Sequence, residues 1–151
     1  MKTIFVSLIV FFSLSHVGLC SDVEKDKKDL NEAIGFYRAV RVDNTLYLSG
    51  CTGTGETMEE QLDIAYGKIR ERLADYGIGF ESVVKENVYT TDLEATQQAI
   101  PHRKAILGGN YYAATWVEVK GLWTPSTMVE IEVIAILPER EKSAKPCCEE
   151  E

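Results

Sequence analysis

Apolar residues recur at helical spacing between residues 62 and 76. This stripe contains Leu62, Ala65, Tyr66, Ile69, Leu73 and Tyr76, and charged side chains occupy most of the positions beside it. Thr57 and Glu60 precede the stripe at the spacing of a capping box, in which each side chain bonds a free backbone N–H. Gly77 follows it as a helix terminator. The pattern predicts a helix that ends at Gly77, with one face on a sheet and the other in water.

Five β-rich segments surround this helix. They are Phe36–Val42, Thr45–Cys51, Val83–Thr91, Tyr111–Val119 and Met128–Leu137. Asp43 and Asn44 separate the first two segments, which predicts a two-residue hairpin turn. A second capping pattern begins at Thr91 and predicts a helix that runs to about Leu107, with a kink or a restart at Pro101.

The order β-β-α-β-α-β-β predicts an α+β domain with its helices on one side of the sheet. The last segment is strongly apolar, so we expect it to be a central strand. Glu130 and Glu132 interrupt it two residues apart. Because strand side chains alternate with a period of two, these carboxylates are expected to share one face.

The two ends of the chain differ from this domain. Residues 1–20 contain Lys2, an apolar run and a small residue at position 18, which is typical of a signal peptide cleaved after Cys20. We therefore expect an exported protein, secreted or periplasmic. The alternative is a lipoprotein anchored through Cys20. Residues 21–33 read as a charged linker, 34–138 as the domain, and 139–151 as an acidic, disordered tail.

Composition narrows the possible functions. The chain has 16 Lys and Arg against 24 Asp and Glu, a net charge of −8, which disfavours nucleic acid as a partner. Two histidines and the lack of a CxxC motif indicate no metal site, and no cofactor is expected. Cys51 is expected in the core, whereas Cys147 and Cys148 lie in the tail. The mature chain contains no apolar run long enough to span a membrane.

Several fragments, in this order, resemble one known family. They are AIGFYRAVRVDNTLYLSGCTG, TMEEQ, VVKENVYTTDLE, WVEV and MVEIEVIAIL. Together they are similar to the Rid (YjgF/RidA) family of imine/enamine deaminases over about 105 residues. The resemblance implies a chorismate-mutase-like fold and a homotrimer with three small-molecule clefts between subunits.

The same resemblance implies a set of site residues. In the family a glutamate directs water at a C=N carbon, which releases ammonia, and Glu130 matches that catalytic position. Tyr37, Ser49 and Gly50 match pocket residues that bind the substrate.

The chain departs from the family at the substrate-binding arginine. Ala114, followed by Thr115 and Trp116, occupies that stretch, and Ile100 replaces a second-helix asparagine. A carboxylate buried without a cation is costly, so the resemblance implies poor activity on 2-imino acids. Two functions therefore stay open. One is a hydrolase for imines or enamines that are uncharged or held differently, and the other is a non-catalytic exported trimer that binds a small ligand or a protein partner.

Overall fold

The computed structural model describes residues 21–139, and the expected signal peptide and most of the expected tail lie outside this range. The strands are β1 (Val23–Glu24), β2 (Leu30–Asn31), β3 (Phe36–Tyr37), β4 (Ala39–Val42), β5 (Thr45–Thr52), β6 (Val83–Thr90), β7 (Ala113–Glu118) and β8 (Val129–Ile136). The α-helices are α1 (Met58–Ala74), α2 (Leu93–Gln98) and α3 (Ile100–Leu107). Within residues 21–139, no helix has the length and apolar character needed to cross a membrane.

Six strands form one sheet in the order β1-β4-β5-β8-β6-β7. Only the β6–β7 pair in this sheet is parallel. The helices cover one face, which confirms the predicted α+β architecture. β8 lies between β5 and β6, so the prediction of a central last strand is confirmed. β2 and β3 form a separate two-stranded pair.

The hydrophobic core lies between α1 and the covered face of the sheet. The predicted stripe of α1 is buried from Leu62 to Leu73, and it meets the alternate residues of β8 that are also buried. Those strand residues are Val129, Ile131, Val133 and Ala135. Glu130 and Glu132 therefore both face the uncovered side, as period-two alternation predicts.

Local capping and turn chemistry fix the ends of the first elements. Thr57 and Glu60 make both hydrogen bonds of the predicted capping box at the start of α1. In the predicted hairpin Val42 pairs with Thr45, and Asp43 takes a φ of 53°. Aspartate tolerates this left-handed conformation better than most residues, which suits a two-residue turn.

The second helix differs from its prediction in two ways. It divides at Ala99 into α2 and α3, with Pro101 in the first turn of α3, where its missing N–H costs nothing. The N-cap is Asp92 rather than Thr91, since the Asp92 carboxylate accepts the Ala95 N–H. The first predicted strand also divides, at Arg38, into β3 and β4.

Residues 21–33, expected to be a charged linker, contain regular structure. β1 pairs with β4, and β2 pairs with β3. Asp29, which lies in the chain between β1 and β2, is only 5% exposed. Its carboxylate accepts a 2.7 Å hydrogen bond from the hydroxyl of Tyr76, which follows the end of α1. This bond fastens the amino-terminal segment to the domain, a role that the charged composition of the segment does not suggest.

Replacing Tyr76→Phe removes this hydrogen bond and leaves the buried Asp29 carboxylate without that donor. We expect the free energy of unfolding to fall by about 1–3 kcal/mol, measured by urea denaturation. Tyr111→Phe is the matched control because Tyr111 is 61% exposed, so its effect is expected within about 0.5 kcal/mol. Equal stability of the two variants would contradict the fastening role of Asp29.

Candidate functional site

A bulge in β5 brings together three of the residues predicted for the site, namely Tyr37, Ser49 and Gly50. The register with β8 passes from Leu48–Val133 to Cys51–Ile131, so Ser49 and Gly50 oppose a single residue of β8. The Ser49 hydroxyl donates a 2.6 Å hydrogen bond to the Tyr37 carbonyl oxygen. Sequence reasoning missed Arg72 on α1, whose Nη1 donates to the Ser49 carbonyl oxygen at 3.0 Å and lies 2.9 Å from the Cys51 sulfur.

Gly50 leaves room at the bulge for Glu130, whose side chain passes directly over it. A Cβ atom placed on Gly50 would overlap the Glu130 side chain as it now lies. The missing side chain therefore creates the space that the carboxylate fills. Ser49, Gly50 and Glu130, with the Tyr37 backbone carbonyl that Ser49 bonds, form one cluster, hereafter the glutamate cluster.

Glu130 and Glu132 share the open face but differ in their partners. The Glu132 Oε1 atom accepts hydrogen bonds from Asn87 Nδ2 at 2.7 Å and from the Tyr89 hydroxyl at 3.0 Å. Within residues 21–139 the carboxylate of Glu130 accepts none. Partial burial, followed by the charge of Glu132, raises the pKa of Glu130. Glu130 is thus a half-buried carboxylate with free oxygens and an increased affinity for a proton.

A shallow concavity of about 260 Å³ lies beside the glutamate cluster on the open face. It reaches Ser49 and Glu132, but Glu130 does not line it. Its walls are Val40, Tyr47, Leu48, Ser49, Lys85, Asn87, Glu132, Val133 and Ile134. The concavity therefore lies beside the Glu130 carboxylate and is not centred on it.

The three predicted residues of β7 lie apart from the glutamate cluster in one chain. β6 separates β7 from β8, and Ala114 pairs with Glu86 while Trp116 pairs with Val88. Neighbours in a parallel pair share a face, so Ala114 and Trp116 face the helices. Thr115 faces the open side instead, where its hydroxyl accepts a 2.7 Å hydrogen bond from Lys85 Nζ.

A charged cluster beneath β7 was not predicted. Glu86, which is fully buried, accepts hydrogen bonds from the Tyr66 hydroxyl at 2.8 Å and from Arg103 Nη2 at 2.5 Å. The guanidinium carbon of Arg103 lies 5.1 Å from the centre of the Trp116 ring. The signal in the sequence is the position of Glu86 on β6, since it shares a strand face with Val88 and Thr90. Both of these residues are buried in the structure.

Comparison with known proteins identifies the family. The profile of the family described as endoribonuclease L-PSP matches residues 27–137. The chain belongs to this family, which is also known as YjgF/RidA. The predicted resemblance is thereby confirmed.

Two solved structures share the fold of this chain, and one further protein is similar to it in sequence. A Mycobacterium tuberculosis member of the YjgF/YER057c/UK114 family is 26% identical, with a TM-score of 0.68 over 78% of this chain and 100% of its own. A Pseudomonas aeruginosa protein of unknown function is 27% identical, with a TM-score of 0.69 over 78% and 94% of the two chains. An uncharacterized Streptomyces coelicolor protein is 29% identical across 69% of this chain and 83% of its own.

The fit of Gly50 under Glu130 in this YjgF/RidA protein can be tested with two alanine substitutions. Gly50→Ala forces the Glu130 carboxylate to move and is expected to cost about 1–3 kcal/mol of stability, as overpacking does. Gly67→Ala in α1 meets no atom within 4 Å and is expected to stabilise the protein by about 0.5–1 kcal/mol. Urea denaturation measures both changes in stability. NMR of the side-chain carboxyl groups shows whether the environment of the Glu130 carboxyl changes. An unchanged Glu130 resonance in Gly50→Ala would contradict this packing.

Proposed function

We propose that this YjgF/RidA protein is an imine/enamine deaminase-type hydrolase in which Glu130 directs the attacking water. The observation that carries the proposal is the half-buried Glu130 carboxylate, which has free oxygens and lies against Gly50. Water loses a proton to Glu130 as its oxygen bonds to the C=N carbon. The nitrogen takes up protons and leaves as ammonia, so an imine becomes a carbonyl compound.

The environment of Glu130 suits both directions of this proton transfer. Partial burial and the charge of Glu132 raise the pKa of Glu130, so this pKa lies closer to neutral pH than that of an exposed glutamate. A group that titrates nearer the working pH both accepts and returns a proton more efficiently. Glu132 keeps its place through Asn87 and Tyr89, so its charge stays beside Glu130.

RNA cleavage, which the family description names, fits this chain less well. The net charge is −8, and the open face carries Glu130 and Glu132 next to each other. Nucleic-acid backbones bind through neutralisation of their phosphates by Lys and Arg. An acidic surface repels such a backbone, so we prefer a small-molecule substrate.

We further propose a homotrimer in which the site lies between subunits. β7 is the edge strand of the sheet, and its residues Ala114 and Thr115 are exposed, while the glutamate cluster lies two strands away in the same chain. Tyr47 on the open face is 46% exposed. Contact between the β7 edge of one chain and the glutamate cluster of the next would bring the predicted site residues together. Light scattering should then give three times the mature chain mass, and a monomer at micromolar concentration would contradict the shared site.

Export is part of the proposal, with cleavage after Cys20 and Ser21 as the first mature residue. The intact mass of protein from its native source tests this, since retention of Met1 would contradict it. A lipid-modified Cys20 would instead support the lipoprotein.

The second candidate function is a non-catalytic exported trimer that binds a small ligand or a protein partner in the same cleft. The replacement of the family arginine by Ala114 favours it. Turnover distinguishes the two functions, because only the hydrolase requires Glu130 for release of ammonia.

We expect the wild type to hydrolyse 2-imino acids poorly and Ala114→Arg to raise kcat/KM by about one to two decades. An arginine–carboxylate pair contributes roughly 1.5–3 kcal/mol, and each 1.4 kcal/mol is a factor of ten. Glu130→Gln in the Ala114→Arg background is expected to remove the gain. An amino-acid oxidase generates the imine, and semicarbazide traps what remains. Fast wild-type turnover would show that this arginine is dispensable.

A further inference from the structure

The Glu86–Arg103 pair lies directly beside the position where the family places its arginine. Glu86 is the register partner of Ala114, and Trp116 is two residues further along the same face of β7. Arg103 donates a hydrogen bond to Glu86, and its guanidinium lies near the Trp116 ring. The chain therefore holds a guanidinium next to Ala114, supplied by α3 instead of β7.

Two of the five N–H groups of this guanidinium are engaged inside the protein. Nη2 donates to Glu86, and Nε donates to the Tyr66 hydroxyl at 2.7 Å. Burial opposes the charge on Arg103, but Tyr66 and Glu86 outweigh burial and raise its pKa, so Arg103 stays protonated. The pair as a whole is neutral, and a ligand carboxylate that approached Arg103 would also meet the charge of Glu86.

A small part of the Arg103 side chain reaches the surface. The Arg103 side chain is 11% exposed, its Nη1 atom makes no hydrogen bond within residues 21–139, and Ala114 beside it is exposed. A guanidinium has five N–H groups, so three stay available.

We propose that Glu86 is a specificity-determining residue that locks Arg103 into a neutral pair, so that the surface around Ala114 and Trp116 accepts imines or enamines without a carboxylate. This inference rests on the proposed function, since it names the substrate class of the same site. It also makes a positive statement about Arg103: once the charge of Glu86 is removed, Arg103 becomes a carboxylate receptor.

Binding of product-like probes tests the lock without any turnover. The chain has two tryptophans, and Trp123 is 80% exposed, so Trp123→Phe leaves Trp116 as the fluorescent reporter beside Arg103. The probes are 2-oxobutanoate, which carries a carboxylate, and 2-oxobutanamide, which is neutral. In this background we expect saturable quenching by the amide and none by the carboxylate.

The Glu86→Gln variant is expected to reverse this preference. It keeps the shape of Glu86 but removes its charge, and the affinity for 2-oxobutanoate should rise at least about tenfold, since charge-assisted hydrogen bonds are the strong ones. Glu86→Gln with Arg103→Met should lose the gain. Glu59→Gln, which makes the same change in net charge on the exposed side of α1, should show no gain.

Three outcomes would overturn the proposal. One is saturable binding of 2-oxobutanoate to the protein with Glu86 intact that is lost in Arg103→Met. Another is saturable binding of 2-oxobutanoate to the protein with Glu86 intact that is lost in Lys25→Met. Lys25 is the cation to test because its ammonium lies 5.6 Å from the Tyr37 ring centre. The third is absence of binding by either probe. These measurements decide the matter even if Glu86→Gln does not fold. The expected binding pattern without any imine hydrolysis would retain the lock and refute the hydrolase.

Discussion

The alternation of β8 between two environments is the constraint on which the rest of the molecule depends. Because β8 is the central strand, one set of its side chains packs against α1 and the other faces the open side. Val129 and Ile131 belong to the first set, and Glu130 and Glu132 to the second. A shift of one residue in register would bury both carboxylates and expose the core, so the register of β8 fixes the core and the candidate site together.

Three glutamates on the strands of the sheet, Glu86, Glu130 and Glu132, have three different sets of partners. Glu132 is held by two neutral donors, Asn87 and Tyr89. Glu86, on the covered face, is paired with a cation. Of the three, only Glu130 accepts no hydrogen bond from the residues that the structure describes, and its partial burial raises its pKa. This difference in partners is the reason that the proposed hydrolase uses Glu130 and not Glu132.

Much of the fold follows from local rules that operate within a few residues. The capping box at Thr57, the stripe from Leu62 to Leu73 and the turn at Asp43 are formed as predicted, because each depends on contacts between near neighbours. The helix ends at Ala74, however, so Tyr76, the last residue of the predicted stripe, lies beyond it. Predictions were less accurate where distant segments decide the outcome. The charged segment around Asp29 gains structure from Tyr76, which lies 47 residues away, and composition alone carries no sign of that partner.

The sequence by itself determined the family, the fold class, the central place of β8 and the shared face of Glu130 and Glu132, since these follow from periodicity and ordered motifs. It also predicted, through the family resemblance, that Ala114 stands in place of an arginine, and this stays a prediction. Only the tertiary structure decided that Arg103 lies beside that position and that Glu86 neutralises it. The two residues are 17 positions apart on different elements, and their contact exists because α3 packs over the β6–β7 edge. Side chains from separate elements meet through packing, which no local pattern encodes.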